Sequence, residues 1–158
     1  MKAFVSDDIG GLVGYAPEAL ALPQASALSL ADRKLRGLID LPSLRLAIVV
    51  LSSLESGAGE RFSSRDRDVL WSAFGLPVFE QLRGWNGRVV ARECEVHDGL
   101  HFDAASVIAE AHRGELFVSG LPAGFGAEIA AGQCECGLET PRLRWLSRAR
   151  RRAAAVAA

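Results

Sequence analysis

The stretch from Leu44 to Leu51 reads Leu-Arg-Leu-Ala-Ile-Val-Val-Leu and gives the clearest structural signal in the chain. Its apolar residues run together over the length of one strand, which is typical of a strand buried on both faces. Further on, Ser63 precedes an acidic first turn and an apolar helical pattern that Gly75 ends. A second strand is predicted from Pro77 to Leu82. This strand-helix-strand unit indicates a small mixed sheet with one or two flanking helices.

The region upstream of this unit predicts one short helix. It extends from about Ser29 to Leu38, with Ser29 as the cap and Asp32 three residues later in a variant of the capping box. The rest of residues 1–40 mixes glycine and proline with leucine and alanine, and it defines no further element. We therefore treat 1–40 as a poorly defined N-terminal region of the domain.

After Gly87 the pattern changes to short strands separated by turn residues. The segment from Pro122 to Gly132, rich in glycine and alanine, is predicted to be a loop. The whole chain is therefore expected to have an α+β fold in which the mixed sheet is followed by a β-rich portion. The predicted strands of that portion are 88–96, 100–102, 106–111, 115–121 and 142–146.

The composition favours one folded domain. The chain has 158 residues, 49% hydrophobic content and a net charge of -1, which excludes an intrinsically disordered protein. We expect a single domain over 1–146 and an Arg/Ala-rich tail over 147–158. The longest apolar run, Leu46 to Leu51, is far shorter than the roughly 18 residues of a membrane span. Because Asp7 and Asp8 also break the order of a secretory signal, a cytoplasmic protein without membrane contact is expected.

The charges are unevenly distributed along the chain. All 19 acidic residues precede Arg142, whereas six of the 18 basic residues lie between Arg142 and Arg152. Such a tail could contact nucleic acid. A solvated chain end is the preferred interpretation, because the body is acidic and few aromatic residues accompany the arginines.

The cysteines and two of the histidines fall into two short clusters. Cys94 and His97 lie in the first, and Cys134 and Cys136 lie in the second. Each short loop can turn two side chains toward one point, and zinc takes four nitrogen or sulfur ligands in a tetrahedron. We therefore predict a Zn²⁺ site formed by Cys94, His97, Cys134 and Cys136. Such a closed set is structural, since it leaves no position for water, and no catalytic residue is assigned.

Two alternatives to this ligand set stay open. His101, four residues after His97, could replace it as the fourth ligand. In the other alternative the cysteines are small buried residues and His97 is an exposed side chain at a strand end. Gly99 and Gly137 follow the two clusters, where a tight turn needs a residue that tolerates positive φ.

Seven short motifs follow one another in the chain. They are Phe74-Gly-Leu-Pro-Val-Phe-Glu80, Ala91-Arg-Glu-Cys94, Asp98-Gly-Leu-His-Phe102, Ala109-Glu110, Gly114-Glu-Leu-Phe-Val-Ser-Gly-Leu121, Cys134-Glu-Cys-Gly137 and Pro141-Arg-Leu143. In composition and order they resemble the phenylacetate-coenzyme A ligase family of adenylate-forming enzymes. The likeness covers about residues 41–143 and implies a fragment of the large domain of such enzymes. It also implies a structural zinc at the cysteine clusters, since some members of the family bind one at the matching turn.

The nucleotide-binding motifs of that family do not carry over. No Ser/Thr/Gly-rich phosphate loop occurs in residues 1–40, and the position of the family's aromatic-Gly-x-x-Glu motif reads Glu80-Gln-Leu-Arg-Gly84. The resemblance therefore implies a non-catalytic, zinc-binding relative that acts as a binding or interaction module. The alternative is a subunit of a split, AMP-forming acyl-activating enzyme whose partner supplies the missing parts. Both readings predict a protein partner or a homo-oligomer, and a nucleic-acid binder ranks last.

Overall fold

The protein is described here by a computed structural model. The residues it describes are 3–6, 12, 17–41, 44–53, 62–84, 87–103, 109–112, 115–118, 127–130 and 132–145. Within these ranges the chain forms two helices and ten strands, and eight of the strands belong to one mixed sheet. This confirms the predicted α+β class. The Arg/Ala-rich tail lies outside the described residues.

The chain groups into two compact units. One consists of Met1–Ser52 with Glu60–Gln81, and the other of Ser53–Gly59 with Leu82–Ala158. The single domain expected over 1–146 stays a prediction. Neither of the two helices in the described ranges is long and apolar enough to cross a membrane.

The first unit carries the strand-helix-strand pattern predicted from the sequence. Its strand order is β1-β2-β3-β4, and β1 pairs with β2, and β2 with β3, in parallel. Two of these strands, β1 and β2, fall in the region for which the sequence defined only a helix. The elements are β1 (Ala3–Val5), β2 (Ala19–Pro23), α1 (Gln24–Leu35), β3 (Ala47–Ser53), α2 (Ser64–Phe74) and β4 (Val78–Arg83). The last residue of β3 and the last two of β4 belong to the second unit.

The core of the first unit forms where the two helices cover the sheet. Leu20 and Leu22 of β2 alternate with half-buried alanines, and Ile48 and Val50 of β3 alternate in the same way. In α1 the buried positions follow helical spacing, so one apolar stripe faces the core. The buried residues of the two helices are Ala27, Leu30 and Ala31 in α1 and Leu70 and Ala73 in α2.

The two helices begin in different ways. In α2 the Ser63 hydroxyl accepts from the Asp66 backbone N–H, and the Asp66 carboxylate accepts from the Ser63 backbone N–H. Gly75 ends this helix with φ 64, so the predicted start and stop are confirmed. The predicted start of α1 was wrong: the helix begins at Gln24 directly after Pro23, and Ser29 is an exposed residue inside it. Proline has a φ close to the helical value, so the chain passes from β2 into the helix without a side-chain cap.

The second unit is β-rich, as predicted. Four of its strands pair in the order β5-β6-β10-β9, all antiparallel, and β7 and β8 form a separate two-stranded sheet. The loop predicted over 122–132 was wrong in part, since β9 lies within it. The elements are β5 (Val89–Glu93), β6 (Leu100–Phe102), β7 (Ala109–His112), β8 (Glu115–Val118), β9 (Ala127–Ala130) and β10 (Arg142–Trp145).

The strand register divides this sheet into an apolar and a polar face. His101 of β6 lies opposite Arg92 of β5 on one side and Arg142 of β10 on the other. Since side chains alternate along a strand, the neighbours of His101 in β6 point to the opposite face. That opposite face forms the apolar core of Ala91, Leu100, Phe102 and Leu143, with Ile129 packed against it. The polar face therefore carries His101 and the two arginines that lie opposite it.

Candidate metal centre

The structure brings three cysteines and one histidine together on the second unit. Cys94 follows β5, His101 lies in β6, and Cys134 and Cys136 precede β10. The ligand atoms of these four side chains all lie within 4.8 Å of one another. This group could hold a metal ion, which confirms the coarse prediction of a metal site made from the cysteine clusters.

Two of the separations between donor atoms match a single tetrahedral ion. The Sγ atoms of Cys94 and Cys134 are 3.9 Å apart, and the Cys136 Sγ lies 3.5 Å from Nε2 of His101. Two sulfurs bound to one zinc at about 2.3 Å are about 3.8 Å apart, and a sulfur and an imidazole nitrogen about 3.6 Å. In a two-iron, two-sulfur cluster, donors on different irons would be more than about 5 Å apart. The compact set therefore fits one ion better than such a cluster.

His101 is held in an orientation that suits a metal ligand. Its residue is 3% exposed, and its Nδ1 lies 2.9 Å from the Thr140 hydroxyl oxygen. When Nε2 binds a metal, Nδ1 keeps its proton and donates it to this oxygen. Outer hydrogen bonds of this kind fix the tautomer and the ring plane of a ligating histidine. Sequence reasoning did not identify Thr140.

Both cysteine clusters form tight turns. The His97 backbone N–H donates to the Cys94 carbonyl over 3.1 Å, and the Gly137 N–H donates to the Cys134 carbonyl over 2.9 Å. The Cys134 N–H donates in turn to the Leu138 carbonyl. Gly137 has φ 88, which confirms the predicted need for a residue that tolerates positive φ. These turns direct Cys134 and Cys136 toward the polar face of the sheet.

His97 does not join the group. Its Nδ1 lies 3.0 Å from the Glu93 carboxylate, and its side chain is 39% exposed. Glu93, the last residue of β5, lies opposite Leu100, so its side chain is on the face of the sheet opposite to that of His101. His97 therefore pairs with a carboxylate that is not part of the group. The structure thus places His101 where the sequence-based ligand set has His97.

The two sulfurs that contact each other differ in proton affinity. The Cys136 backbone N–H donates to the Cys134 sulfur and, with the His101 ring and the other two cysteines, lowers the pKa of Cys134 to about 6. Burial raises the pKa of Cys94 to about 11. Without a metal at neutral pH, Cys134 is therefore a thiolate and Cys94 a thiol. A cation bound here displaces the Cys94 proton, since the thiolate is the ligating form.

A charge cluster fixes the segment between Cys94 and His101 to β10. Asp98 binds Arg142 Nη1 at 2.5 Å and also pairs with Nη2 of Arg144. The hydrogen bond from Arg144, helped by the charge of Arg142, lowers the pKa of Asp98. The Arg142 side chain is only 7% exposed, so its charge depends on this carboxylate.

Gly99 brings the same segment into close contact with β10. It has φ 89, and a Cβ at this position would lie 2.8 Å from the Leu143 carbonyl oxygen. No real side chain tolerates that distance, so only glycine fits without movement of the backbone. The predicted positive φ is confirmed, and close packing adds a second reason for glycine. Together, Asp98 and Gly99 hold the two ligand-bearing segments at a fixed separation.

Comparisons with known proteins add no assignment to this geometry. No protein-family model matches the sequence, and no curated protein matches it either.

Proposed function

We propose that this chain is a non-catalytic binding module whose second unit is stabilised by a structural zinc ion. The observation that carries the proposal is the group of Cys94, His101, Cys134 and Cys136, whose donor atoms all lie within 4.8 Å of one another, with two of the separations close to those around one zinc ion. Three thiolates and an imidazole favour zinc among the common divalent ions. Four protein donors close the coordination sphere, so the ion supplies folding energy instead of activating water.

The resemblance to phenylacetate-coenzyme A ligases supports a non-catalytic role. The motifs shared with that family lie on the scaffold and at the cysteine clusters, whereas its nucleotide-binding motifs have no counterpart in the sequence. Adenylate formation requires a positioned triphosphate and a charge clamp on the transferred group. We expect no AMP release when the purified chain is incubated with ATP, coenzyme A and an aryl acid. Release of AMP would contradict the proposal.

Metal content and thermal unfolding test the zinc site directly. The protein is purified without a metal-affinity column, its metals are determined by elemental analysis, and unfolding is followed with and without a strong chelator. We expect one zinc per chain and a melting temperature lower by about 10 °C after chelation, because ligand binding to the native state adds several kcal/mol. Cys134→Ser is the matched variant that should no longer respond to the chelator. A wild-type chain that contains no metal, and whose melting temperature is the same with and without the chelator, would contradict the proposed zinc site.

A protein partner or a second copy of the chain is the proposed binding target. Leu35 and Leu38 at the end of α1 are 57% and 66% exposed, and Trp71 of α2 is 55% exposed. Large exposed apolar side chains are common at partner interfaces. Light scattering of the purified chain, compared with Trp71→Glu, tests self-association. If the chain is monomeric, co-purification with a chain that restores AMP formation would favour the split acyl-activating enzyme. We place this module in the cytoplasm, where thiols stay reduced.

A further inference from the structure

Two of the three cysteine sulfurs in the candidate metal centre lie close enough to form a disulfide bond after a small movement. The Sγ atoms of Cys94 and Cys134 lie 3.9 Å apart although the residues are 40 positions apart in the chain. The structure contains both as free thiols. A shift of less than 2 Å would bring the sulfurs to the roughly 2.05 Å of a disulfide bond.

The two cysteines differ in access from solvent. Cys94 is half-buried at the end of β5, whereas Cys134 is only 3% exposed. A small oxidant therefore reaches the Cys94 sulfur more readily than the Cys134 sulfur, which lies 3.9 Å from it. The Cys136 sulfur lies 3.5 Å from Nε2 of His101 and also interacts with the other two cysteines, so the pairing of Cys94 with Cys134 rests on their 3.9 Å separation. This arrangement resembles a reactive thiol next to a resolving thiol, as in redox-sensing cysteine pairs.

We propose that hydroperoxides oxidise this centre to a Cys94–Cys134 disulfide and thereby release the metal ion, a regulation that rests on the proposed zinc site. In the metal-loaded protein the bound cation has displaced the Cys94 proton, so Cys94 is a thiolate. Its sulfur attacks one peroxide oxygen, the O–O bond breaks, and hydroxide leaves and takes up a proton to become water. Cys94 is now a sulfenic acid. The Cys134 thiolate then attacks the Cys94 sulfur, the S–O bond breaks, and a second hydroxide leaves as water.

The balance of this reaction explains why the ion leaves. The two sulfurs lose two electrons and the peroxide gains them, with two protons taken up from solvent. Disulfide sulfur is a poor ligand for zinc, so only Cys136 and His101 remain as donors. Two donors do not hold a structural zinc. A dithiol reductant returns two electrons and restores the site.

The test uses the full chain loaded with zinc. It is treated with hydrogen peroxide in the presence of a chromogenic chelator that reports released zinc. We expect one zinc released for each disulfide formed, a mass loss of two hydrogen atoms per chain, and recovery of zinc binding after reduction. Zinc that stays bound while the thiols oxidise would overturn the proposal, as would sulfinic acid on Cys94 without a cross-link.

The sequence allows the cross-link to be assigned. A protease that cleaves after glutamate separates Cys134 from Cys136, because Glu135 lies between them. The expected product joins Cys94-Glu95 to the peptide Ile129–Glu135, whereas a link to the peptide Cys136–Glu139 would refute the pairing. In the zinc-free variants, Cys136→Ser should still form the cross-link, whereas Cys134→Ser lacks one of the two sulfurs and should show no cross-link between the two segments.

Failure of the zinc site and failure of the oxidation are distinguishable. A wild-type chain that binds no zinc overturns the proposed function. A chain that binds zinc and keeps it under peroxide overturns only the oxidation. Because the disulfide is mapped in the wild-type protein, the result does not depend on the folding of a variant.

Discussion

The hydrogen bond between Thr140 and His101 gives the sharpest test of the metal centre. Thr140→Val keeps the shape of the side chain and removes only the hydroxyl that lies 2.9 Å from His101 Nδ1. His101 is 3% exposed, so no bulk water replaces the lost partner. A buried donor left without a partner costs about 1–3 kcal/mol. Since each 1.4 kcal/mol is about tenfold in an equilibrium constant, zinc affinity should fall by about 10- to 100-fold.

The assay is a competition for zinc between the protein and a chromogenic chelator at neutral pH. Thr140→Ser retains the hydroxyl and is the matched control, expected to bind zinc within about threefold of the wild type. Absorption of the cobalt-substituted protein reports whether the coordination stays tetrahedral. An affinity of Thr140→Val equal to that of Thr140→Ser would refute the reasoning, because it would mean that the hydroxyl does not orient the ligand.

Three further substitutions, two of them with a control variant, test other parts of the site. His101→Ala should abolish stoichiometric zinc binding in elemental analysis, whereas His97→Ala should keep it; the reverse result would restore the ligand set with His97. Asp98→Asn should lower the free energy of unfolding of the zinc-free chain by about 1–2 kcal/mol at pH 7, measured with urea. Because the pKa of Asp98 is lower in the folded state than in the unfolded state, its contribution is present above the unfolded pKa and is lost as pH falls through the folded pKa. The difference between wild type and variant should therefore disappear in acid, and a difference that persists there would contradict the charge pairing. Gly99→Ala should cost about 2–4 kcal/mol, against about 1 kcal/mol for Gly132→Ala, which has similar φ but open space around it; equal costs would show that contact with Leu143 is unimportant.

The local sequence was enough to predict β3 and α2, because the residues that their sequence patterns mark as apolar are the ones that pack in the core. The apolar run that contains Ile48 and Val50 became β3, and Ser63 and Gly75 delimit α2 as predicted. In β2, buried leucines alternate with half-buried alanines. Both residue types are apolar, so the sequence lacks the apolar–polar alternation that predicts a strand. β9 (Ala127–Ala130) is equally weak as a sequence signal, and its pairing with β10 defines it. Such strands form because neighbours supply the hydrogen bonds, which a local pattern does not show.

The candidate site was predictable as a group of cysteines but not as a complete ligand set. The spacing of Cys94 and His97 favoured His97, since a short turn can direct both side chains to one point. The turn does form, but His97 leaves it toward Glu93. The signal for His101 was present in the predicted strand 100–102: if Leu100 and Phe102 face the core, the residue between them faces the other way. Thr140 gave no signal, because its role depends on the register between β6 and β10.

The long sequence separation between Cys94 and Cys134 has a consequence for how this chain can vary. Within this interval, the candidate ligands His101 and Cys134 lie on either side of the separate β7–β8 sheet. The entropy of closing a flexible loop grows only with the logarithm of its length, so doubling it costs about 0.6 kcal/mol. His101 and Cys134 keep the two ends of this segment close together, independently of the number of residues between them. The stretch that includes β7 and β8 is therefore where residues could be inserted, and new contacts acquired, at little cost to the folded state.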